Sequence, residues 1–127
     1  MSVSDLQDVS FDELLGAYPK LVVQFWATWS EPCAQYLGVY EDISNEYPDV
    51  TFVRIEISEA VELSQQLGVD SVPTLIGFRE GLMVFERPGA PNHKALRKLI
   101  DPISNGVFSD LLVGTEDGKR KRRFGLF

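Results

Sequence analysis

The sequence predicts a single α/β domain, a central mixed sheet of four to five strands flanked by helices on both faces. Three observations predict it. Compact apolar runs alternate with segments of helical period, the order that pairs strands in parallel. Two later runs are joined by Arg79-Glu80-Gly81, a hairpin turn that adds an antiparallel pair. The chain has 127 residues, 44% hydrophobic and 24% charged, which suits one domain. A chain of this size buries roughly two-thirds of its unfolded surface, enough for a core without staples.

Taken in order, Ser10-Phe11-Asp12-Glu13 matches a capping box, with Ser10 as N-cap and Glu13 reaching back. A short helix through Leu14, Leu15 and Tyr18 follows and stops before Pro19. Leu21–Trp26 is apolar except for Gln24 and reads as a strand buried on both faces. Thr28–Cys33 is a loop running into a helix start. Leu37, Tyr40, Ile43 and Tyr47 then recur at helical spacing until Pro48-Asp49. Val50–Ile57 is a β-branched strand, and Glu59–Leu67 a helix with Val61, Leu63 and Leu67 apolar, closed by Gly68. Val72-Pro73-Thr74 leads into strand Leu75–Phe78, the hairpin, and strand Leu82–Glu86. Pro88-Gly89 precedes a last helix, His93–Ile100, with Ala95, Leu96, Leu99 and Ile100 inward. Residues 1–104 form the expected domain, and 105–127 a tail or linker.

Charge is unevenly spread. The net charge is −7, yet five of the 12 basic residues form one run, Lys119-Arg120-Lys121-Arg122-Arg123. All 19 acidic residues precede it. Such a body repels phosphate and is a poor nucleic-acid binder. The run itself fits the crude pattern of a targeting or polyanion-binding segment, and equally a solvated tail. Phe124-Gly125-Leu126-Phe127 after it is apolar, suited to packing on the body or on a partner. With one cysteine, Cys33, there is no disulfide framework. No apolar run approaches the roughly 20 residues that a bilayer crossing needs. The N-terminus shows neither a secretory nor an Arg-rich transit pattern, so the expected compartment is cytoplasmic or nuclear.

The block Leu21–Cys33, with Trp29-Ser30-Glu31-Pro32-Cys33 at its end, resembles the strand, Trp-containing loop and active-site helix start of thioredoxins. Val72-Pro73-Thr74 resembles the family's cis-proline loop, Phe78-Arg79-Glu80-Gly81 its hairpin, and Gly89-Ala90 its glycine before the last helix. These landmarks fall in family order across roughly residues 10–100 and imply a thioredoxin fold. Two departures bear on chemistry. Thioredoxins carry two cysteines spaced as Ser30 and Cys33 are here, so Ser30 replaces the nucleophilic one. A helix N-terminus lowers a thiol's pKa, whereas a serine hydroxyl stays protonated near neutral pH. Gln24 stands where the family places a buried Asp, and glutamine exchanges no proton.

Trp29-Ser30-Glu31-Pro32-Cys33-Ala34-Gln35 is similar to the motif in the thioredoxin-like domain that begins multidomain monothiol glutaredoxins. That resemblance implies redox homeostasis and iron or iron–sulfur handling. The family's cluster ligand is a Cys-Gly-Phe-Ser motif in a later domain, which these residues lack. The chain is then an excised domain or a stand-alone relative.

Each candidate has a plain structural reading beside the functional one. Cys33 is a working thiol or a small buried hydrophobe. Ser30, with Glu31 and Pro32 in the first turn, is an N-cap, and a hydrogen bond from Ser30 to Cys33 is a further expectation. Trp26 is expected in the core and Trp29 exposed beside the motif. By resemblance, the bond before Pro73 is cis and Val72 presents backbone to an extended peptide. His93 is the only histidine and lies far from the motif in this fold, so neither metal nor cofactor is expected.

Two functions follow. One is a redox-linked protein-binding module, with Trp29, Glu31, Pro32, Val72 and Pro73 holding a protein or peptide thiol partner without dithiol turnover. The other is a monothiol oxidoreductase, with Cys33 forming mixed disulfides with glutathione or a protein thiol. No membrane partner is expected, and nucleic acid only through the basic run.

Overall fold

The computed structural model describes residues 3–6 and 10–105. Their order is β1 (Val3–Leu6), α1 (Phe11–Ala17), β2 (Lys20–Trp26), α2 (Glu31–Glu46), β3 (Thr51–Glu56), a 3-10 turn (Ile57–Glu59), α3 (Val61–Gln66), β4 (Thr74–Arg79), β5 (Leu82–Pro88) and α4 (His93–Asn105). The five strands lie in the order β1-β3-β2-β4-β5. β3 pairs in parallel with β1 and β2, while β4 runs antiparallel to β2 and to β5.

Alternation along β2 builds two cores. Leu21, Val23 and Phe25 face Leu14 of α1 and Leu63 of α3, together with Val53, Ile55, Ile76 and Phe78. Val22 faces Tyr36, Tyr40 and Ile43 of α2 and Leu96, Ile100 and Ile103 of α4. Tyr40 fixes α2 over the sheet. Its hydroxyl lies 2.8 Å from the Val53 carbonyl and 3.1 Å from that of Val22, and its ring meets Phe52 edge-on at 5.5 Å. Burial pushes its phenol well above the ordinary range.

Local signals account for most element ends. Ser10 Oγ accepts the Glu13 N–H at 3.1 Å and Glu13 Oε1 accepts the Ser10 N–H at 3.2 Å, a complete capping box. Glu80 and Gly81 make the two-residue hairpin turn, both at positive φ (52° and 81°).

Several elements differ from the sequence reading. β1 is not among the strands expected there; Val3 pairs with Phe52 and extends the sheet at its edge. The helix expected over Glu59–Leu67 is split at Ala60, whose φ of −148° interrupts it and leaves Val61 52% exposed. On α2 it is Tyr36 that is buried, while Leu37 is half-buried. α4 continues past Ile100 to Asn105 with Pro102 inside it, because Ile103 belongs to the core. The carbonyls of Ile103 and Ser104 accept from Arg79 Nη1 and Lys20 Nζ, both at 3.1 Å, which satisfies the helix end. Lys119–Arg123 and Phe124–Phe127 lie outside the described residues.

Gly77 is a position where only glycine fits. A Cβ there would run into Phe85 Cε2 and stand 2.6 Å from Ile103 Cδ1, both in buried side chains. Gly77→Ala is therefore expected to destabilise the fold by about 1–3 kcal/mol through overpacking. Urea unfolding of the variant measures this; an unchanged midpoint contradicts the packing described.

Candidate functional site

Because β2 and β3 are parallel and β4 is antiparallel to them, the loops following β2 and β3 and the loop preceding β4 meet at one end of the sheet. The loop after β5 joins them there: the Gly89 N–H, at φ 96°, donates to the Pro73 carbonyl at 2.8 Å. Tyr36 Oη donates to the Pro91 carbonyl at 2.6 Å and ties that loop to α2.

The first turn of α2 sits in this cluster. Ser30 is the N-cap, its Oγ accepting the Cys33 N–H at 3.4 Å, with Glu31 and Pro32 following. The contact runs from the Cys33 backbone to Ser30, opposite in sense to the expected donation from the serine, because an N-cap oxygen serves the helix's free N–H groups. Cys33 is fully buried and Ser30 nearly so, while Trp29 beside them is 74% exposed. Glu31 and Pro32 are exposed.

Across the cluster the Val72–Pro73 peptide bond is cis. Pro73 is buried and Val72 half-buried. Among the described residues, neither the Val72 N–H nor its carbonyl is hydrogen-bonded within the chain. His93 opens α4 two residues after Pro91, and its Nε2 lies 3.0 Å from Asp42 Oδ2 on α2. Among the described residues no group of three or more His, Cys, Asp or Glu could hold a metal ion.

Beneath the loops lies a polar arrangement that sequence reasoning does not single out. Gln24 is fully buried and faces Arg54 across the β2–β3 register. Arg54 Nε donates to Gln24 Oε1 at 3.1 Å, Nη1 reaches Asp5 Oδ1 at 3.3 Å, and the guanidinium carbon lies 4.1 Å from the Trp26 ring centroid. The buried cation is thus met by an amide oxygen, an aromatic face and a carboxylate on the edge strand. Trp26 is half-buried under it rather than in the core as expected, since its ring forms a wall for the guanidinium. Among the described residues, the buried Gln24 Nε2 and Trp26 Nε1 meet no hydrogen-bond partner. The available signal is a lone Arg inside the β-branched run Val50–Ile57.

Glu56, at the end of β3, is a second residue that the sequence reading misses. Its Oε2 accepts the Thr28 N–H at 3.3 Å and its Oε1 the Ser58 N–H at 2.8 Å, so one carboxylate holds both loops. The Ser58 hydroxyl also donates to Oε1 and is the main reason the carboxyl lies below its ordinary value of 4.5, outweighing burial. A depressed folded-state pKa adds stability that is present above the unfolded value and lost as pH falls through the folded one. Glu56→Gln should therefore lie below the natural chain in urea midpoint near neutrality, the gap closing as pH falls below 4.5 and through the depressed folded value. A gap that stays constant as the solution is acidified contradicts the role given to this carboxylate.

The family model described as Thioredoxin matches residues 2–102.

The chain belongs to the thioredoxin family.

It is 34% identical over 89 residues to a thioredoxin of Mycoplasmoides gallisepticum, covering 70% of this chain and 89% of that one. It is 35% identical over 100 residues to glutaredoxin-3 of Mus musculus, covering 77% of this chain but only 30% of that protein's length. The solution structure of oxidised thioredoxin from Plasmodium falciparum superposes with a TM-score of 0.73 at 29% identity, covering 81% of this chain and 99% of the other. A mutant thioredoxin of Halobacterium salinarum gives 0.76 at 27% identity, covering 84% and 94%. The five-stranded mixed sheet with helices on both faces is the thioredoxin fold. Among the described residues, no helix of this family member is long and apolar enough to cross a membrane.

Proposed function

We propose that the chain is a thioredoxin-fold binding module of redox homeostasis, which holds an extended protein segment at Val72 and Trp29 without dithiol turnover. The observation that carries this reading is the pairing of two features at one end of the sheet. Val72 offers an unpaired backbone N–H and carbonyl next to an exposed indole. The position of the family's nucleophilic thiol is meanwhile taken by a capping serine hydroxyl, with the sole thiol, Cys33, buried behind it. A peptide laid against Val72 gains backbone hydrogen bonds as an added strand does, and Trp29 supplies apolar contact area. Cys33 has no surface from which to reach a partner's sulfur, which favours binding over mixed-disulfide formation.

The similarity to part of glutaredoxin-3 supports a glutaredoxin-related redox setting, and the motif resemblance at Trp29–Gln35 is what suggests a monothiol-glutaredoxin-type iron or iron–sulfur pathway. The donor set among the described residues does not fit a cluster, because no three His, Cys, Asp or Glu side chains are brought together and the single cysteine is buried. In such a pathway this domain would hold the protein client, and cluster ligation would belong to another domain.

Amide NMR of the chain titrated with extended peptides tests the reading. The Val72 amide and Trp29 indole should shift together and saturate, while Cys33 stays reduced. Peptides that perturb neither group, or that shift only residues at the opposite end of the sheet, would sink the proposal.

A further inference from the structure

We propose that the partner segment is positively charged: the loop end of the sheet is an acidic-rimmed apolar surface built for an extended, Lys- or Arg-rich stretch of another protein. This deepens the binding reading and rests on it. Among the described residues the exposed large hydrophobics are Trp29, at 74%, and Val61, at 52%. Both lie at this end, Trp29 in the loop after β2 and Val61 at the start of α3, just after the turn that follows β3. The two loops are tied together through Glu56, which bonds the backbone of Thr28 and of Ser58. The interruption at Ala60 is what leaves Val61 outside the core instead of on the buried face of a longer helix.

Exposed carboxylates neighbour this pair along the chain. Glu31 follows Trp29 by two residues, Glu59 and Glu62 flank Val61, and Asp70 lies in the loop that leads to Val72. No Lys or Arg occurs from residue 55 to residue 78, nor from 21 to 53, so neither of the loops that carry Trp29 and Val61, nor the one that leads to Val72, has a cation. Arg87 on β5, opposite Leu75, is the cation at this end, and its charge acts on Tyr36; Lys94 follows in the first turn of α4, so the acidic rim is the side formed by the loops after β2 and β3. Buried Arg54 is engaged by Gln24, Asp5 and Trp26. Apolar contacts and an unpaired backbone bind sequences broadly, whereas an acidic rim along the Trp29 and Val61 loops rejects acidic segments and steers basic ones. Exposed charges reach over about 30 Å at 0.01 M salt and only about 3 Å at 1 M, so a preference set by these carboxylates fades as salt rises.

The test uses the full chain and three labelled decapeptides with the same apolar positions, flanked by Lys and Arg, by Gln and Ser, or by Glu and Asp. Fluorescence anisotropy should give the basic peptide an affinity at least about tenfold above the acidic one at low salt, falling to within about threefold near 1 M salt. Glu59→Lys/Glu62→Lys/Asp70→Lys, all at exposed positions and checked for folding by circular dichroism, should reverse the order. Equal affinities for all three peptides, or an order unmoved by charge reversal, overturn the proposal and leave the binding reading standing. Failure of every peptide to bind removes both. A full-length variant with Lys119–Arg123 replaced by Gln gives one more arm. A rise of about tenfold or more in affinity for the basic peptide would make the chain's own basic run the occupant, overturning the assignment to a partner. An unchanged affinity supports it.

Discussion

Ser30→Cys is expected to act as a weak disulfide reductase in an insulin assay, where the natural chain is expected to stay at the blank. The scaffold for the reaction is present: Ser30 caps α2, so a thiol there would lie among the helix's free N–H groups. If those groups lower the new thiol from about 8.5 to about 7.5, its thiolate fraction at pH 7 rises from roughly 3% to roughly 24%. The thiolate attacks an insulin disulfide, and Cys33 resolves the mixed disulfide. Two insulin thiols are released, a disulfide between the introduced thiol and Cys33 remains in the variant, and dithiothreitol reduces it again. Resolution is the slow part, since Gln24 cannot take the Cys33 proton. Adding Gln24→Asp should raise turnover by no more than about twofold, because Arg54 beside that position would hold the new carboxylate ionised and weakly basic. Turnover by the natural chain above the dithiothreitol blank would contradict the reading of Ser30 directly. A Ser30→Cys variant that folds but stays at the blank would show that the loop end no longer supports exchange.

Arg54→Met is expected to cost about 3 kcal/mol, roughly 10–20 °C in Tm. The substitution leaves buried Gln24 with neither end of its amide paired, since its Nε2 already lacks a partner. It also removes the cation that covers Trp26 and ties β3 to Asp5 on the edge strand. The double variant Gln24→Leu/Arg54→Met should recover to within about 1 kcal/mol of the natural chain, as apolar replacements of a buried polar pair do. Chemical unfolding of the four members of this cycle measures the coupling. Additive single costs would mean that Gln24 and Arg54 do not depend on each other.

The residues behind these two effects are unequally legible in the sequence. The Ser10 and Ser30 caps, the two-residue hairpin turn and the apolar strands are local patterns, set by hydrogen-bond needs within a few residues, and the sequence carries them. β1 is four residues long with only Val3 buried, too short for a period, and exists through its pairing with β3. Pro102 reads as a helix stop, yet burial of Ile103 and side-chain donors to the last carbonyls carry α4 through it. At the site, Ser30, Cys33, Trp29 and Val72-Pro73 are visible as spaced motifs. Arg54 and Glu56 act across strands on partners about thirty positions away, and only the β2–β3 register joins them to Gln24 and Thr28. Val61 reads as part of an apolar helix face because nothing local announces the break at Ala60.

If this thioredoxin-family chain binds without a working thiol, Cys33 must be unreactive in the folded state. Iodoacetamide alkylation of the native chain, followed by mass spectrometry from about pH 5 to about pH 10 with a urea-unfolded control, measures that state. Native rates should lie orders of magnitude below the control and rise only as the fold opens. Fast native alkylation that titrates below the free-thiol value of about 8.5 would make Cys33 a reachable thiolate and contradict binding without a working thiol.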